Sequence, residues 1–140
     1  MLSEPRVAEA WVTAHGRPHT EDDVETMYQK ATEVQVALLP EFAHPISGVL
    51  ELLEALGARD IRVGSTTGYN QEMLDTVRTA AETHGLKMEV AVPSSSVPRG
   101  RPAPFMCWAA LTTLDVWPTA AALKIGDTPV DVEDRKSTRL

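Results

Sequence analysis

Three short stretches hold side chains whose types and order could do chemistry. In Ile61-Arg62-Val63-Gly64-Ser65-Thr66-Thr67-Gly68-Tyr69 an apolar run passes straight into small hydroxyl residues. Ligands of parallel α/β sheets sit outside the carboxyl ends of strands, where a hydroxyl and the free amides of a helix start can hold an anion. An ordinary polar strand-to-helix turn would read the same way. In Gly100-Arg101-Pro102-Ala103-Pro104-Phe105-Met106 two prolines restrict Arg101 just before a helix. Its guanidinium can then be presented to a phosphate in a fixed pose, the alternative being a solvated loop arginine. In Leu123-Lys124-Ile125-Gly126-Asp127-Thr128-Pro129-Val130-Asp131 two carboxylates follow an apolar run at i and i+4. Hard oxygen ligands so placed suit Mg2+, which keeps several waters and takes one or two protein carboxylates, while an aspartate capping the next helix would also fit. Each stretch alone is weak. Together they stand at strand ends or helix starts in a consistent order.

The elements that must position them alternate. Gly48 to Gly57 reads as a helix, Ile61 to Gly64 as a strand, and Gln71 to His84 as a helix behind an Asn70 cap. Met88 to Val92 reads as a strand, Pro104 to Asp115 as a helix, and Ala122 to Gly126 as a strand. A βαβα rhythm of this kind implies a parallel sheet with helices on its faces. The residues before it read as two helices, starting near Ser3 and Pro5 and again after Thr20, each with an acidic first turn. In the second, Val24, Met27, Tyr28, Ala31, Val34 and Leu38 recur at helical spacing, and Pro40 closes it. The Ala43 to Ser47 stretch is a hinge by composition. The chain therefore divides into a helical segment over 1–45, an α/β core over 46–134 and a basic, polar tail over 135–140.

The chain has 140 residues, 43% of them hydrophobic and 24% charged, enough for one globular domain. Charged residues interrupt every window long enough to cross a bilayer. A single cysteine, Cys107, permits no internal disulfide and is compatible with a reducing cytoplasm. The net charge of -7 argues against non-specific nucleic-acid binding, so any phosphate site must be built locally. His15, His19, His44 and His84 lack the spacing of a metal cluster and read as helix-end or surface residues. Trp11, Trp108 and Trp117 read as packing residues, and Cys107 as a small buried hydrophobe. Lys124 is expected to face a neighbouring element.

The order Ser-Thr-Thr-Gly-Tyr, Gly-Arg-Pro-x-Pro-x-Met and Gly-Asp-Thr-x-x-Asp resembles motifs two to four of the haloacid dehalogenase superfamily. Arg101 in place of the usual lysine, Gly64 to Tyr69 and the Met106-Cys107 pair narrow the resemblance to the phosphonoacetaldehyde hydrolase family, from about Glu21 to Glu133. The resemblance implies a Rossmann-like core with a helical cap and Mg2+-dependent hydrolysis of phosphonoacetaldehyde to acetaldehyde and phosphate. It further implies a small phosphonate substrate and a homodimer in the full-length protein, and the cysteine usage suits a cytoplasmic setting. By the same resemblance Thr67 hydrogen-bonds phosphoryl oxygens and Arg101 neutralises them. Ser65, Thr66, Gly68 and Tyr69 shape the substrate site, Asp127 binds Mg2+ and Asp131 supports it.

The departures are equally specific. Neither the family's Asp-x-x-Gly-Thr nucleophile strand nor its Schiff-base lysine helix has a counterpart in this chain. Lys30, Lys87, Lys124 and Lys136 lie outside the matching context. Ser94 to Ser96 stand where the family tends to be acidic, and Phe105 replaces a larger aromatic. The family's nucleophile strand lies between those ending at Gly64 and Gly126, so a chain without it is expected to be a fragment, poorly stable and inactive alone. The 135–140 tail reads as non-native sequence. A generic phosphatase of the same superfamily, or a non-catalytic phosphate-binding module, are the alternatives.

Overall fold

The computed structural model describes residues 4–138, the side chains of residues 135, 137 and 138 excepted. It divides into two compact units, one ending at Leu38 and the other beginning at Leu39.

The first unit holds α1 (Pro5–His15) and α2 (Glu21–Leu38). Pro5 opens α1, where its missing N–H costs nothing, and Gly16 ends it at φ 68°, a left-handed conformation that suits glycine. Thr20 and Asp23 start α2 reciprocally: Asp23 N–H donates to Thr20 Oγ1 at 3.2 Å and Thr20 N–H to Asp23 Oδ2 at 2.8 Å. Arg17 forks onto the same carboxylate at 2.6 and 2.9 Å. Within this unit Trp11 stacks on His15 at 3.9 Å between ring centroids.

The second unit carries α3 (Val49–Gly57), β1 (Gly64–Thr67), α4 (Gln71–Thr83), β2 (Val90–Pro93), α5 (Phe105–Thr113) and α6 (Pro129–Thr138). The expected parallel sheet is present as a β1–β2 pair, with Gly64 opposite Val90 and Thr67 opposite Pro93. Val90, Val92, Met106, Ala110 and Leu114 form its core against α5, with Met106 fully buried. Gly64 is required by that packing, since a Cβ there would run into Val90 Cγ1 and Leu114 Cδ1.

The strands depart from expectation: the second runs Val90–Pro93 rather than Met88 to Val92, the first is displaced and the third does not form. The first begins at Gly64 rather than Ile61, because the ladder starts where Val90 is available. Ile61 remains exposed, and Arg62 leaves the sheet to bind Glu89 Oε2. The run from Ala122 to Gly126 forms no strand. It has no ladder partner among the described residues, and Leu123 and Ile125 are both 82% exposed. Trp108 and Trp117, expected to pack, are 45% and 85% exposed. Cys107 is buried as expected, with its thiol 3.3 Å from Asp134 Oδ2. The helix α6 runs on through residues 135–138 of the expected tail, and 139–140 lie outside the described residues. Among the described residues no helix is long and apolar enough to cross a membrane.

Candidate functional site

The carboxyl end of β1 delivers Ser65, Thr66 and Thr67, all half-buried, into a turn that opens α4. Alternation along the strand puts Thr66 on the face opposite Ser65 and Thr67. The turn is closed by local bonds: Tyr69 N–H donates to Thr67 Oγ1 at 3.2 Å, and Met73 N–H to Asn70 Oδ1 at 2.9 Å, the cap of α4. From the end of β2, Ser94 N–H donates to the Tyr69 carbonyl at 3.0 Å. Its hydroxyl lies 2.9 Å from the Gly68 carbonyl and 3.1 Å from that of Tyr69. Ser94 thus fixes the turn that presents the hydroxyl residues.

Arg101 enters from the Pro-flanked loop before α5 and lies against Gly68, where an added Cβ would stand 3.2 Å from Nη2. Its Nη1 donates to Asp131 Oδ1 at 2.7 Å. From the opposite side Lys124 Nζ donates to Thr66 Oγ1 at 2.9 Å and to Asp131 Oδ1 at 3.4 Å, and stands 3.8 Å from Asp134 Oδ2. Thr128 completes the ring, its hydroxyl donating to Asp131 Oδ2 at 2.5 Å and its N–H to the same oxygen at 3.3 Å. Asp131 is 5% exposed and packs directly over Gly126, where any Cβ would collide with its side chain. The Thr128 hydroxyl first, and then the Arg101 guanidinium, hold the Asp131 carboxyl well below the usual carboxylate range, against the opposing effect of burial.

The three sequence stretches therefore converge. Thr66, Gly68, Arg101 and Asp131 are joined through Lys124 and the guanidinium, beside a cleft of roughly 270 Å³ lined by Lys124, Ile125, Gly126, Asp131 and Val132. Ser65 and Tyr69 belong to the strand and turn that support it. Lys124 faces neighbouring elements as expected, while its partners, and the contacts of Thr128 and Ser94, were not disclosed by the motifs. The one available signal was alternation, with Lys124 turned inward between outward Leu123 and Ile125.

The two aspartates have different surroundings. Both Asp131 oxygens are already met by Arg101, Lys124 and Thr128, whereas Asp127 is exposed at the loop apex. Among the described residues no group of three His, Cys, Asp or Glu side chains is placed to hold a metal ion. With both oxygens so engaged, Asp131 is not disposed to share a cation with Asp127, whose exposed carboxylate is the kind of hard oxygen donor that Mg2+ accepts.

A family model described as haloacid dehalogenase-like hydrolase matches residues 3–138. The chain belongs to that family. Among the haloacid dehalogenase-like hydrolases it is 40% identical over 133 residues to the phosphonoacetaldehyde hydrolase of Bacillus cereus strain G9842, and 41% identical to that of Bacillus mycoides strain KBAB4. Each alignment covers 95% of this chain and 50% of the relative. A crystal structure of a phosphonoacetaldehyde hydrolase-like protein from Oleispira antarctica matches with a TM-score of 0.90 at 28% identity, over 98% of this chain and 50% of that one. The chain spans about half the length of the curated relatives it matches. In this chain the β1 turn, the Arg101 loop and the Gly126–Asp131 loop are held together by the Arg101–Asp131 and Lys124–Thr66 contacts.

Proposed function

We propose that this chain carries the phosphate-gripping half of a hydrolase that cleaves the carbon–phosphorus bond of phosphonoacetaldehyde, yielding acetaldehyde and phosphate. The observation that supports the reading most directly is the meeting of Arg101 and Lys124 beside the hydroxyl-bearing end of β1. Two cations held by one carboxylate beside a strand end that bears hydroxyl residues are suited to a phosphoryl group, whose transfer depends on positioning and charge stabilisation. In this reading Thr67 donates its hydroxyl to a phosphoryl oxygen and Arg101 neutralises the group. Ser65, Thr66, Gly68 and Tyr69 shape its seat, and Asp131 holds the two cations in register. Asp127 would hold Mg2+, which would supply charge neutralisation to the phosphoryl oxygens, and Asp131 would support it through the loop rather than as a ligand. In this reading an aspartate nucleophile and a Schiff-base lysine would be supplied by residues other than those of this chain, and the full-length protein would be a homodimer. The substrate is a small phosphonate in the cytoplasm.

The experiment supplies this chain, fused or in trans, with the half of the Bacillus cereus relative that it does not match. Acetaldehyde and phosphate released in equal amounts from phosphonoacetaldehyde support the reading, and Arg101→Ala is expected to lower kcat/KM by about 10²–10³-fold. Hydrolysis of phosphate monoesters without acetaldehyde release would instead assign a generic phosphatase, and phosphate binding without turnover a non-catalytic module.

A further inference from the structure

Asp134 is fully buried, at 0% exposure, and follows Asp131 on α6 at a spacing that puts both carboxylates on one face of the helix. A carboxylate in a dry interior is strongly disfavoured unless a cation stands beside it. Here the cation is Lys124, whose Nζ is 3.8 Å from Asp134 Oδ2. The same oxygen accepts from the Cys107 thiol at 3.3 Å, which fixes it against α5.

The two carboxylates that meet Lys124 stand in different places. Asp131 is shared with Arg101 and Thr128 and lines the cleft, so a phosphoryl group entering there meets its charge. Asp134 is closed to solvent and does not line the cleft, so it attracts the ammonium without facing the anion. Of the hydrogen bonds that Lys124 makes, the one to Thr66 is 2.9 Å and the one to Asp131 is 3.4 Å, to an oxygen that Arg101 already holds. The longer bond is the one that a phosphoryl oxygen can displace.

We propose that Asp134 is a positioning residue for Lys124. It keeps the ammonium beside Thr66 and the cleft, so that a phosphoryl oxygen can take over the Asp131 contact without releasing the lysine to solvent. The proposal rests on the phosphoryl-binding reading above and adds to it the residue that aims the second cation. Without the Asp134 charge, Asp131 is the one carboxylate left to Lys124 among the described residues, and the ammonium is drawn onto it and away from an incoming anion.

The probe is inorganic phosphate with the full chain, and the readout is the rate at which acetic anhydride acetylates each lysine, resolved by mass spectrometry. Asp134→Asn is expected to raise the rate at Lys124 about tenfold, and phosphate is expected to slow Lys124 in the parent far more than in the variant. Equal rates at Lys124 in the two chains, or a variant as fully protected by phosphate as the parent, would overturn the proposal. A parent that phosphate does not protect would count against the phosphoryl-binding reading instead, and the rates without phosphate still decide whether Asp134 holds the lysine. The thiol is the only one in the chain, so its S–H stretching band reports on Asp134 without any substitution. Acetylation of Lys124 in the parent should shift that band as the carboxylate loses its cation. A band that does not move sinks the proposal even where Asp134→Asn fails to fold.

Discussion

A carboxylate met by Arg101, Lys124 and Thr128 at once stays ionised far into acid, and Asp131 is that carboxylate. Because its folded pKa is depressed, its contribution is present above the unfolded value of about 4 and is lost as pH falls towards the folded one. Asp131→Asn should therefore destabilise the chain by about 3 kcal/mol at pH 7, since it leaves two partly buried cations without their shared partner. Urea unfolding at pH 7, 4 and 3 checks this, and the gap between parent and variant should narrow at each acid step. A constant gap would mean that the ion pairs contribute nothing to it. The motifs singled out Asp131 and Arg101, but not that they bind each other. Lys124 was harder still to assign, because the hydroxyl it meets lies 58 residues away and only the fold brings the two together.

Helices were far more legible than strands, for a physical reason visible in α4 and β1. The start of α4 is written locally in Asn70, whose side chain accepts from Met73 N–H. Asn70→Ala should cost about 1 kcal/mol and expose the Met73 amide to faster hydrogen exchange, with the Thr67–Tyr69 turn loosened in consequence. Equal exchange rates in parent and variant would show that the Ser94 bonds hold the turn unaided. Strand limits are set by partners instead. Ile61 to Val63 has the composition of a strand, yet the ladder begins at Gly64, where Val90 stands opposite. Ala122 to Gly126 has strand composition too and forms none, because an apolar run without a neighbour has nowhere to place its N–H and C=O groups.

Among the described residues, the site's three loops are brought together by a sheet of two strands, beside a stretch outside the ladder that bears Leu123 and Ile125 at 82% exposure. Paired apolar side chains at that exposure drive association. The parent chain should sediment with a concentration-dependent increase in mass, and the Leu123→Lys/Ile125→Lys variant as a monomer. A parent that remains monomeric at high concentration would remove the argument. The same stretch has a meaning inside a cell. Extended, unpaired backbone with large aliphatic side chains is what holdase chaperones and processive proteases grip first, so the lifetime of the polypeptide there is set by how continuously those few residues are shielded.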